Sequence, residues 1–162
     1  MAASDLDAPT FEGGCDCRAV RYRLRSRPMF VHCCHCRWCQ RETGSGFVIN
    51  ALVETSNLDV AGETVTVDTP SASGNGQKIV RCRNCHVALW SHYARRGTAL
   101  AFVRAGTLDD PSAVTPDVHI YTSTKLPWLG LPQNAQVFAE FYNVPDVWPA
   151  EALARARAAK EV

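Results

Sequence analysis

The sequence predicts a mainly β, antiparallel fold that ends in a short C-terminal helix. Short segments rich in β-branched and aromatic residues recur along the chain, separated by Gly, Pro, Asn and Ser clusters such as TPSASGNGQ. No amphipathic helix intervenes between them, which argues against a parallel α/β sheet. The last stretch, DVWPAEALARARAAKEV, is built largely from good helix formers.

Met1 to Thr10 is polar and carries Pro9, and reads as a loose lead-in, with order starting near Phe11. Over Arg18 to Arg25, Val20, Tyr22 and Leu24 alternate with Arg21, Arg23 and Arg25, the period of a half-buried strand. Further strands are expected over Phe47 to Val53, Leu58 to Val60, Thr64 to Val67, Gln77 to Arg81, Ala88 to Tyr93, Ala99 to Ala105 and Val118 to Tyr121. Pro149 suits a first helical position, and Arg155 and Arg157 read as solvated. The expected organisation is a lead-in over 1–10, a β domain over 11–147 and a terminal helix over 148–162.

The composition limits the function classes. With 17 basic against 16 acidic residues and a net charge of +1, the chain lacks the basic footprint of a nucleic-acid binder. No segment approaches the ~20 apolar residues of a membrane span, and the N-terminus has no signal-like apolar run, so a cytoplasmic protein is expected. At 162 residues the chain is large enough to build a core without metal. Eight cysteines nevertheless fall into three clusters: CDC at Cys15 and Cys17, CCHCRWC from Cys33 to Cys39, and CRNC at Cys82 and Cys85. In a cytoplasmic chain such spacing points to metal rather than to disulfides, and tetrahedral thiolate sites point to zinc.

Two zinc sites per chain follow from the arithmetic. Cys15, Cys17, Cys82 and Cys85 lie at strand boundaries, can meet across a sheet, and make a closed, structural four-cysteine site. In the middle cluster, neighbouring side chains of an extended segment point to opposite faces. Cys34 and Cys36 therefore share a face, Cys39 returns to them if the chain turns, and three thiolates leave a fourth position open. His32 shares that face as a ligand or a close neighbour, His35 lies opposite and bonds locally, and Cys33 is a small buried residue. His86 follows Cys85 where a knuckle turn favours positive φ, which His tolerates better than most residues.

The blocks GGCDCRAVRY, HCCHCRWCQRETGSGF, RCRNCHVALW and DVHIYTSTKLPW, in this order, resemble the glutathione-dependent formaldehyde-activating enzyme family, which also includes centromere protein V. The resemblance implies a tent-like zinc-binding β fold, a structural zinc on Cys15, Cys17, Cys82 and Cys85, and a second zinc on Cys34, Cys36 and Cys39 linked to glutathione chemistry. Cys33 is an additional thiol, and His86 stands where the family commonly has Gly.

The implied activity is that of a carbon–sulfur lyase on S-hydroxymethylglutathione, with Cys34, Cys36 and Cys39 acting through zinc. Glutathione carries two carboxylates, for which Arg37, Arg41 and Lys125 are the candidate partners. The segment Thr122 to Trp128 is a candidate pocket wall, while Trp38 and Trp128 suit either pocket or core. The competing reading is a non-enzymatic zinc-bearing interaction module, separated from the enzyme by whether the second metal site opens onto a pocket.

Overall fold

The computed structural model describes residues 11–162, so the expected lead-in lies outside the described residues. Two sheets form. The smaller joins β1 (Phe11–Gly14), β2 (Arg21–Leu24) and β5 (Leu58–Ala61) in the order β1-β2-β5, all antiparallel.

The larger has eight strands. It contains β3 (Phe30–Cys34), β4 (Val48–Glu54), β6 (Thr64–Thr69), β7 (Gln77–Cys82), β8 (Ala88–Tyr93), β9 (Leu100–Arg104), β10 (Val118–Ile120) and β11 (Gln136–Val137), ordered β11-β10-β3-β4-β9-β8-β7-β6. The antiparallel expectation holds except at one edge, where β10 runs parallel to both β3 and β11. Three helices complete the chain: α1 (Arg37–Thr43), α2 (Val144–Val147) and α3 (Ala150–Ala158). Pro149 caps α3 from outside its first turn, and the helix ends four residues before the C-terminus.

Alternation along the central strands divides the core in two. Ala101 and Val103 of β9 and Val53 of β4 pack with Phe11, Tyr22 and Leu24 of the small sheet. On the opposite face, Leu52, Leu100, Val118 and Ile120 pack with Phe30 and with Trp148, Ala152 and Ala156 of the C-terminal segment. The helix is further held by Arg155, which is not solvated as its sequence context implies. Its Nε and Nη2 donate to the two carboxylate oxygens of Glu54 at 2.7 Å each. A charged residue at the end of β4 thus replaces solvent as the partner of the helix's polar face.

Candidate functional site

The first cysteine group joins the two sheets rather than crossing one. Cys15 and Cys17 lie in the β1–β2 turn, Cys82 ends β7, and Cys85 lies in the β7–β8 turn. The two turns close alike: Cys15 N–H donates to the Val20 carbonyl at 3.1 Å, and Cys82 N–H to that of Val87 at 3.0 Å. Each has a left-handed residue directly after its second cysteine, Arg18 at φ 62° and His86 at φ 61°. The expected positive φ at His86 is therefore observed.

The four Sγ atoms lie within 4.8 Å of one another, with Cys15 to Cys17 at 3.5 Å and Cys17 to Cys82 at 3.7 Å. Thiolates at about 2.3 Å from a tetrahedral ion are about 3.8 Å apart, so the group fits a closed metal shell. N–H groups already point at the sulfurs: Val20 N to Cys15 at 3.2 Å, and Asn84 N and Nδ2 to Cys82 and Cys17 at 3.3 Å each. The Asn84 bond, then that of the Ala19 N–H, holds the Cys17 thiol down at about 6, whereas burial lifts Cys15 to about 11.

The second group forms where β3 leaves the sheet and α1 begins. Cys34 ends β3, Cys36 is the N-cap of α1 and accepts from the Cys39 N–H at 3.3 Å, and Cys39 lies one turn on. The three Sγ atoms lie within 4.8 Å of one another and are all buried. Hydrogen bonds from the Cys34 and Cys39 thiols, aided by the Cys39 and Trp38 N–H groups, pull Cys36 down to about 3 against the opposing effect of burial. Giving its proton to those bonds, and then burial, push Cys34 upward. Of the three thiols, Cys36 is the one most favoured as a thiolate.

This group opens onto a cavity of about 510 Å³ whose wall includes Cys34, Cys36 and Cys39, within the range of small-molecule sites. His32 also faces it but is outside the three-thiol group. Trp148 Nε1 donates to the Tyr142 hydroxyl at 2.6 Å, and the same hydroxyl is hydrogen-bonded to His32 Nε2. Burial keeps His32 neutral by lowering its pKa to about 3.

Of the expected carboxylate partners, Arg37 donates to Gln40, Lys125 donates to the Leu126 and Leu129 carbonyls at 3.0 and 2.6 Å, and Arg41 is exposed; none lines the cavity. Trp38 lines it, as does Tyr121, which takes the left-handed region at φ 55°, whereas Trp128 is 74% exposed and belongs to neither wall nor core.

Sequence reasoning missed the cations that the fold does supply. Arg95 and Arg96 are exposed at the cavity, and among the described residues neither joins an ion pair. Arg104 is buried on the strand whose Leu100 and Phe102 line the cavity, and bonds only neutral groups, Asn50 Oδ1 at 2.5 Å and Ser91 Oγ at 3.0 Å. The Cys39 thiol is pulled down by its hydrogen bond with Cys34 but pushed up to about 12 by that with Cys36 and by burial, and the Arg104 charge opposes the rise. A signal was available: Arg104 lies in phase with Leu100 and Phe102, a charge on the apolar face of a strand.

A β protein with one four-cysteine group joining its sheets and a three-cysteine group facing a cavity has the donors to hold metal and room for a small molecule. Residues 10–124 match the family described as glutathione-dependent formaldehyde-activating enzyme, and the chain belongs to that family. A Halomonas elongata protein provisionally named as such an enzyme is 29% identical over 132 residues, covering 77% of this chain and 83% of its own length. An uncharacterised lyase of Schizosaccharomyces pombe is 24% identical over 117 residues, covering 72% of this chain and 82% of its own. A crystal structure of a Rhodobacter sphaeroides protein aligns at a TM-score of 0.46 and 22% identity, covering 65% of this chain and 91% of its own.

Proposed function

We propose that this protein is a zinc-dependent carbon–sulfur lyase acting on a glutathione–aldehyde adduct of the S-hydroxymethylglutathione type. The observation that carries the reading is the placement of three buried thiols, Cys34, Cys36 and Cys39, in the wall of a small-molecule cavity with unpaired arginines at its rim. Zinc on these thiolates supplies, when bound, a Lewis-acid position for the substrate sulfur.

In cleavage the adduct's hydroxyl loses its proton to solvent, the oxygen's electron pair forms the aldehyde C=O, and the C–S bond breaks to release the thiolate. Synthesis is the reverse. Arg104, a buried cation of β9 whose charge acts on Cys39, partly offsets the negative charge of the thiol group. Arg95 and Arg96, rather than Arg37, Arg41 and Lys125, meet the two glutathione carboxylates, because they lie at the cavity and their guanidinium forks are free. Trp38, Phe102 and Tyr121 exclude water from the apolar part of the substrate.

The test is exchange of the hemithioacetal methylene at equilibrium, read by NMR line broadening with the uncatalysed rate subtracted. Wild type should accelerate exchange, Cys36→Ser should abolish the acceleration, and Arg95→Ala with Arg96→Ala should raise the glutathione concentration for half-saturation roughly tenfold or more. Equal exchange in wild type and Cys36→Ser removes the lyase reading and leaves the zinc-bearing interaction module as the better account.

A further inference from the structure

The face of β3 turned away from the cavity carries donors that neither cysteine group uses. Alternation that sends Cys34 to the cavity face sends Cys33 to the other, and His35, two residues on, follows it. Strand β10 lies parallel to β3 with His119 opposite Cys33, so His119 is delivered to the same face from far along the chain. The three side chains converge: Cys33 Sγ lies 3.5 Å from His35 Nε2, and His35 Nε2 lies 3.0 Å from His119 Nδ1. All three donor atoms lie within 4.8 Å of one another, and the residues are 2%, 0% and 8% exposed.

Hydrogen bonding leaves one of the three groups over, because a proton shared between His35 Nε2 and His119 Nδ1 occupies both nitrogens and leaves the Cys33 S–H no free lone pair there. The thiol converges on the same nitrogen and has no other acceptor. A tetrahedral ion with bonds of about 2.0 Å to nitrogen and about 2.3 Å to sulfur needs edges of about 3.3 Å between nitrogens and about 3.5 Å between sulfur and nitrogen, so the 3.5 Å sulfur–nitrogen spacing fits and the 3.0 Å nitrogen pair opens by about 0.3 Å to admit it.

We infer that Cys33, His35 and His119 form a third metal site, for a borderline divalent ion of the zinc class, on the face of β3 opposite the cavity. One thiolate and two neutral imidazoles suit such an ion. They neutralise it less than four or three thiolates do. The third ion therefore binds more weakly than the other two. The site stands independently of the lyase reading, because it shares no ligand with the cavity cluster.

The test starts from protein carrying two equivalents of zinc and adds Co²⁺ as an optical probe. A third equivalent should bind with visible tetrahedral bands and a thiolate charge-transfer band in the near ultraviolet. Cys33→Ala should remove the charge-transfer band, and His119→Gln should weaken the binding at least tenfold. Without any substitution, zinc added beyond two equivalents should shift the ¹⁵N resonances of His35 Nε2 and His119 Nδ1. Failure of wild type to take a third equivalent at tenfold excess overturns the site. So does a third equivalent that leaves the histidine resonances unmoved, or one that survives unchanged in both variants.

Discussion

Replacing one ligand in each cysteine group should have opposite consequences for folding. Cys82 is fully buried in the core between the sheets, and its group ties the β1–β2 turn to the β7–β8 turn. Structural zinc contributes apparent folding free energies of about 10–16 kcal/mol in small peptides. Even a fraction of that rivals the roughly 5–15 kcal/mol that stabilises a domain. Cys82→Ser also leaves a hydroxyl in an apolar core, so this variant should fail to fold or aggregate.

Cys36 differs because it is the N-cap of α1, accepting from the Cys39 N–H. Serine is among the best N-caps, so Cys36→Ser keeps the helix start while removing a metal ligand. It should purify folded, lose one equivalent of zinc, and retain a cooperative thermal transition. Cys36→Ala should lose the same zinc and about 1 kcal/mol more, roughly 2–4 °C in Tm for a chain of this length. Metal content by elemental analysis and unfolding by circular dichroism check the set. Equal collapse of Cys82→Ser and Cys36→Ser would refute the division into a closed structural group and an open one.

The Glu54–Arg155 pair is only partly exposed, its side chains 12% and 22% accessible, so Arg155→Ala should cost about 2 kcal/mol, between the values for surface and buried pairs. Arg155 lowers the Glu54 carboxyl pKa below its ordinary 4.5. The pair's stabilisation is therefore full above that value and lost as pH falls through the lowered one, so urea midpoints of wild type and Arg155→Ala should converge in acid. At His86, φ 61° suits glycine and opposes β-branching. His86→Gly should keep its metal and a Tm no lower than wild type, whereas His86→Val should lose about 1–2 kcal/mol, both read by thermal unfolding.

Strands with one solvated face were legible from alternation, and β8 has the span Ala88–Tyr93 that its sequence predicts. Strand β3 was harder to read because all five of its residues are buried, which erases the period-two contrast. The facing of Cys33 and Cys34 was nonetheless readable from backbone geometry alone. The parallel direction of β10 was not, since no local residue pattern states which way a strand runs, and with it went the meeting of His119 with Cys33 and His35. The thiol groups were visible as spacing, whereas Arg95 and Arg96 reach the cavity through the turn after β8, a placement set only by tertiary packing.

The different chain separations of the two thiol groups set an order of assembly. Cys34, Cys36 and Cys39 lie within six consecutive residues, so gathering them closes only a short loop. Cys17 and Cys82 are 65 residues apart. By chain-entropy reasoning, tying them together removes on the order of 4 kcal/mol of freedom from the unfolded state, against about 2 for a loop of five residues. A nascent or refolding chain can therefore load the cavity cluster while most of the sheet is still unpaired. The four-cysteine group must wait until β7 has emerged and met the first turn, so a metal bound there would record completed folding, and one bound at the local group only that the chain has reached α1.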